Sequence, residues 1–150
     1  MNPDRPIRSI MTTKLVTVSL ETNAEAIQTI FRKHDFHHIP VVDKGEGLIG
    51  IISKEDFFKV SYLISYNTTG KTWTGKEYRS LKANDFMTKF PLTLDPDDTI
   101  GLAADIFLAN KFHSLPIVED GKLAGMITAH DLLEYGFNSP FVTKREEEIT

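Results

Sequence analysis

Apolar positions along this chain follow two rhythms, and the rhythms alternate. Short apolar runs at Leu15 to Val18, Ile39 to Val42 and Leu48 to Ile52 read as strands. Between the first two, Ala24, Ile27, Ile30 and Phe31 recur at helical spacing and mark one buried stripe. Thr22, with Glu25 three residues on, reads as the capping box that opens this helix. The Gly-containing stretch Asp43-Lys44-Gly45 predicts a turn, so the second and third runs should form a hairpin. A second helix is expected from about Lys54 to Tyr66.

The same order then returns. Leu92 to Leu94 is strand-like, and a helix follows with Ile100, Ala103 and Phe107 on its stripe, its start marked by the acidic cluster Asp95 to Asp98. Leu115 to Val118 and Leu123 to Ile127 flank a turn at Asp120-Gly121, and a closing helix is expected from about Ala129 to Tyr135. Shifted by 76 positions, Met11-Thr12 falls on Met87-Thr88, Phe36-His37 on Phe112-His113, and Pro40 on Pro116. After the loss of one residue, Gly50, Ile52 and Asp56 fall on Gly125, Ile127 and Asp131. The chain is an internal duplication of one strand-helix-strand-strand-helix unit, an α/β fold. Repeat 1 occupies 1–66 with its core at 7–60, and repeat 2 occupies 81–150 with its core at 81–137. The connection over 67–80 holds Trp73 and Tyr78 and matches nothing in the other half. A single repeat buries too little to stand alone, so the two are expected to pack with pseudo-twofold symmetry.

Composition narrows the function. Hydrophobic residues at 41% and charged residues at 25% are ordinary for a water-soluble protein. A net charge of -4 with scattered Lys and Arg argues against nucleic acid as a partner. Absence of cysteine rules out disulfides, iron–sulfur clusters and thiolate zinc sites. The first residues have no apolar core like that of a signal peptide, and no stretch approaches the roughly 18 apolar residues that cross a bilayer. A cytoplasmic protein without a membrane partner is expected. No Gly-rich phosphate loop and no nucleophile-and-base signature appears, and adjacent His130-Asp131 point different ways on a helix, so no enzyme is expected. His34, His37 and His38 straddle a helix end without Cys or paired carboxylates at ligand spacing, so no metal site is expected either.

The opening Met-Thr, the His-x-x-Pro strand and the closing Gly-Ile-Ile-Ser-Lys-Glu-Asp and Gly-Met-Ile-Thr-Ala-His-Asp, seen twice in one order, resemble a tandem CBS-domain pair over nearly the whole chain. The resemblance implies two β-α-β-β-α repeats with clefts between them, in which many members bind AMP, ADP, ATP or S-adenosylmethionine as regulatory ligands. It implies no cofactor for catalysis, a homodimer through the helices, and an effector protein outside this chain, which reads as a stand-alone pair. The apolar stripe Phe57-Phe58, Val60 and Leu63-Ile64 is a candidate for that dimer face. An alternative is a structural or dimerisation module whose clefts are vestigial.

Within that resemblance, Asp56 and Asp131 are the ribose candidates, because one carboxylate accepts from both ribose hydroxyls. Ser53 and Thr128 stand where a strand gives way to a helix, and free N–H groups there suit a phosphate or sugar oxygen. The same Ser-x-x-Asp and Thr-x-x-Asp patterns are helix caps in their own right, so both roles stay open. His37, His38, His113 and Ser114 precede the central strands; His38 and Ser114 stand where family members that grip phosphate carry Arg. Lys54 is placed to reach a phosphate, and its counterpart is Ala129. Val18 and Pro40, with Leu94 and Pro116, are candidates for an apolar adenine slot or for plain core. By the pseudo-symmetry, each cleft is expected to join the Asp of one copy to the His-bearing strand of the other.

Overall fold

Most of the elements that the apolar rhythms predict form, and the structure, a computed structural model, describes residues 1–67, 80–110 and 112–138. After a 3-10 turn at Ile7–Ser9 come α1 (Ala24–Lys33), β1 (His38–Val42), β2 (Leu48–Ser53) and α2 (Lys54–Asn67). Then follow α3 (Ala83–Phe86), β3 (Thr88–Lys89), α4 (Ile100–Asn110), β4 (Ser114–Glu119), β5 (Lys122–Thr128) and α5 (Ala129–Asn138). Strands β1, β2 and β3 form one antiparallel sheet in that order, and β4 pairs with β5 in a second. The expected connection at 67–80, with Trp73 and Tyr78, falls outside the described residues except at its two ends.

Both hairpins turn where expected. Asp43 holds the first turn by accepting from the N–H groups of Gly45 and Gly47, each at 2.9 Å. Asp120 and Gly121 take the left-handed backbone (φ 52° and 77°) that a tight hairpin turn needs.

The strand-like runs before each first helix are shorter than expected. Each makes a single parallel bridge, Val18 with Val41 and Leu94 with Ile117. Val18 donates to the carbonyl of Pro40 (3.1 Å) and accepts from Val42 (2.9 Å). The next rung would need an N–H from residue 40, and proline has none. Pro116 stops the second run in the same way, accepting from Leu94 at 3.1 Å.

The start of α1 also differs from expectation. Its N-cap is Asn23, whose side chain accepts from the Ala26 N–H at 2.9 Å. Thr22 is occupied elsewhere, its hydroxyl accepting from Ser19 (3.1 Å) and its carbonyl from Ala83 (2.8 Å). At α4 the equivalent Thr99 caps, accepting from Leu102 at 3.1 Å. The acidic cluster just before it is a turn, with Asp98 accepting from the Asp95 N–H.

The chain divides into two compact units, and their boundaries interleave the two sequence repeats. One unit takes Met1–Lys14, Thr93–Ile117 and the chain from Ala124 onward; the other takes Leu15–Leu92 and Val118–Leu123. The first unit's core is Ile7, Leu94, Ala103, Phe107, Leu115, Ile117 and Ile127, so Ile7 is buried beside repeat 2. The second unit's core joins Ile27, Phe31, Ile39, Ile52 and Phe57 of repeat 1 to Ala83 and Phe86. Phe57 lies 4.7 Å, centroid to centroid, from Phe86 and 5.7 Å from Phe31. Much of the stripe expected to face a dimer partner is therefore spent inside this unit. Phe57 is fully buried, Phe58 and Val60 pack on the same core and Leu63 is exposed, while the Ile64 side chain lies outside what the structure describes.

The exchanged segments dock identically. Ala24 donates to Leu81 and Ala83 to Thr22, each at 2.8 Å; Ile100 donates to Arg5 (2.9 Å) and Ile7 to Asp98 (2.8 Å). The Met-Thr strings then lie flat on the second hairpin strand. Thr88 pairs with Ile51 in one unit and Thr12 with Met126 in the other. Close approach requires glycine opposite. A Cβ on Gly50 would lie 2.5 Å from Met87 Sδ, and one on Gly125 would lie 2.9 Å from both Met11 Sδ and the Thr12 carbonyl oxygen.

Candidate functional site

Each hairpin ends at a strand-to-helix junction, and the sequence candidates gather there. In the first, the register sets His38 opposite Ser53, the last residue of β2. The chain enters α2 at Lys54, whose N–H donates to the His37 carbonyl at 2.7 Å. The Ser53 hydroxyl accepts from the Asp56 N–H at 3.0 Å, so the serine does cap the helix. The Asp56 carboxylate is exposed and has no hydrogen-bond partner among the described residues. His37 is exposed, His38 and Lys54 are half-buried, and Val18 and Pro40 are buried.

The second junction has the same backbone. Ala129, the first residue of α5, donates to the His113 carbonyl at 3.2 Å. Here the capping box is complete. Asp131 donates its N–H to the Thr128 hydroxyl (3.1 Å), and its Oδ2 accepts from the Thr128 N–H (2.9 Å). Its other oxygen, Oδ1, lies 3.4 Å from the Thr12 hydroxyl. His113 is exposed, while Leu94 and Pro116 are buried. Ser114 is only 7% exposed, and its hydroxyl has no partner among the described residues. A buried hydroxyl left unpaired costs about 1–3 kcal/mol, which makes it the anomaly of this junction.

His34 stacks on Phe36 with ring centroids 4.8 Å apart, so it belongs to the end of α1. Thr12 is the residue that sequence reasoning missed. It sits in the Met-Thr string, far in sequence from Asp131, and only the exchange of segments brings the two together.

Comparison with known proteins decides the family. The CBS-domain profile matches residues 7–62 and 83–138. This chain is a tandem CBS-domain pair. It is 33% identical over 134 residues to an inosine-5'-monophosphate dehydrogenase of Korarchaeum cryptofilum, covering 89% of this chain and 24% of that one. The chain thus spans about a quarter of the dehydrogenase's length. A CBS domain-containing protein of Dictyostelium discoideum is 26% identical, with 85% of this chain and 88% of that one covered. Among solved structures, CBSX2 in complex with AMP superposes with a TM-score of 0.70 at 27% identity, covering 88% of this chain and 96% of that one. Among the described residues, no helix of this CBS pair is long and apolar enough to cross a membrane.

Proposed function

We propose that this CBS pair is a regulatory module that binds an adenosine-type ligand at its strand-to-helix junctions and performs no catalysis. The observation that carries the reading is the pair of polar groups left without partners among the described residues, the Asp56 carboxylate and the buried Ser114 hydroxyl. A ribose diol suits the carboxylate, and a ligand oxygen or nitrogen would satisfy the hydroxyl. CBSX2, solved with AMP, supports the choice of ligand class. In this reading Ser53, Lys54 and Asp56 face ribose and phosphate at the first junction. His37, His38, His113 and Ser114 line the approach, and Val18, Pro40, Leu94 and Pro116 back the base. The nucleotide is a regulatory ligand rather than a catalytic cofactor, and the site needs no metal. The protein acts in the cytoplasm on an effector protein, away from membranes and nucleic acid.

The test is a thermal-shift series with AMP, ADP, ATP and S-adenosylmethionine at millimolar concentration. A ligand at 100 times its dissociation constant adds about 2.7 kcal/mol, or roughly 5–10 °C for a chain of this size. No shift with any of the four refutes the reading. We also propose a homodimer through the helices, whose exposed apolar side chains include Tyr62 and Leu63 on α2 and, separately, Leu133 and Phe137 on α5. Light scattering that returns a monomer at high micromolar concentration removes this part.

A further inference from the structure

The two junctions share a sequence pattern but not a state. At the second, both Asp131 oxygens are engaged, Oδ2 by the Thr128 N–H at 2.9 Å and Oδ1 by the Thr12 hydroxyl at 3.4 Å. At the first, the Ser53 hydroxyl caps Asp56 as Thr128 caps Asp131, yet the Asp56 carboxylate is left unengaged among the described residues. Thr88, the counterpart of Thr12, makes no hydrogen bond of this kind among the described residues. We infer that the pair divides its labour: Asp56 is the carboxylate that takes the ligand's diol, and Asp131 is a structural cap that Thr12 locks in place. The inference rests on the adenosine-ligand reading for Asp56, and on geometry alone for Asp131.

The physical argument is competitive. A diol approaching Asp131 must displace the Thr128 N–H and the Thr12 hydroxyl from the carboxylate, and the displaced N–H at the helix start loses its partner. Hydrogen bonds to a charged group are worth more than neutral ones, so the second junction starts at least about tenfold behind the first. The local charge agrees, because Lys54 stands beside the first junction and Ala129 beside the second. The arrangement also uses Thr12 as a lock. Its segment pairs with Met126 through two backbone hydrogen bonds of 2.8 and 2.9 Å, so the hydroxyl is held at Asp131 by the strand that carries it.

Calorimetric titration of the full chain with AMP, together with melting of the ligand-free protein, tests the inference. Wild type is expected to bind one tight AMP per chain. Asp56→Ala should weaken that site at least tenfold and leave the ligand-free melting temperature within about 2 °C. Asp131→Ala should lower the ligand-free melting temperature by several degrees and leave AMP affinity within about threefold. Thr12→Val, a milder change that keeps the strand, should give a smaller loss of melting temperature and expose a second, weaker AMP site. Two equivalent AMP molecules per wild-type chain would overturn the inference. So would equal melting losses for the two Asp variants, or loss of the tight site in Asp131→Ala. If wild type binds no AMP, the role of Asp56 falls and the melting comparison alone decides whether Asp131 is the cap; the functional reading falls as well only when the four-ligand thermal series is also flat.

Discussion

Replacing Gly125 with alanine tests the segment exchange where it is tightest. The added Cβ would sit 2.9 Å from the Thr12 carbonyl oxygen and from Met11 Sδ, and 3.2 Å from Met11 Cγ. Ordinary contact begins near 3.4 Å, so both neighbours must retreat. The methionine sulfur can swing away. The carbonyl cannot, because it accepts from Met126 at 2.9 Å while the Thr12 N–H donates back at 2.8 Å. Overpacking of this kind costs about 1–3 kcal/mol, and losing the two bridge bonds would cost a similar amount at about 0.5–1.5 kcal/mol each. Glycine to alanine returns about 0.4–1 kcal/mol through the unfolded chain, which leaves a net loss of about 1–2 kcal/mol. For 150 residues that is a fall of roughly 2–8 °C in melting temperature, read by circular dichroism and by the urea midpoint. Gly50→Ala provides the internal comparison. There the nearest atom is Met87 Sδ at 2.5 Å, with the Thr88 carbonyl at 3.0 Å, so Met87→Ala should relieve much of its cost. Met11→Ala should relieve less of the cost at Gly125, where the backbone oxygen is as close as the sulfur. A Gly125→Ala variant as stable as wild type, or one fully rescued by Met11→Ala, would refute the argument.

Other consequences are as direct. Phe90 is 89% exposed and takes a left-handed backbone at φ 51°, which costs a bulky residue about 1–2 kcal/mol, so Phe90→Asn should raise the melting temperature by a few degrees. Asn23→Ala removes the cap of α1 and should cost about 1 kcal/mol in a urea titration, whereas Thr22→Ala leaves that cap in place. Ser114→Ala removes a buried hydroxyl that has no partner among the described residues and should stabilise the ligand-free protein by roughly 1 kcal/mol in a urea titration. Arg8 holds the Asp97 carboxyl below the usual carboxylate range through a 2.8 Å bond. The small stability this lends is present above the unfolded carboxylate pKa and is lost as pH falls through the lowered one. Arg8→Gln should therefore differ slightly from wild type at pH 7 and match it in strong acid.

The duplication made most of the fold readable, because a pattern seen twice fixes element order and turn positions more firmly than one seen once. Both hairpins and the second helices emerged close to where the apolar rhythm put them. Three features were hidden, each for a physical reason. The strand-like runs at Val18 and Leu94 stop after one bridge because Pro40 and Pro116 lack the N–H of the next rung, a matter of pairing partner rather than of the runs themselves. The Met-Thr strings align with their own copies but pack beside the other, and nothing in their composition reveals which strand they will meet. The site was legible only to the level of the pattern. Ser53-x-x-Asp56 and Thr128-x-x-Asp131 read alike, yet a hydroxyl from Thr12, remote in sequence, distinguishes them.

The interleaved units also set a timetable for the nascent chain. Thr12 pairs with Met126, and Ile7 is buried in a cluster whose other fully buried members begin with Leu94. At a synthesis rate of about 5–20 residues per second, the first segment waits on the order of ten seconds for its partner strand to appear. During that wait, Ile7, Ile10 and Met11 have no core to enter. A chain held on a ribosome stalled before β5 therefore displays this apolar early segment without its partners, and this is where a chaperone should be found bound.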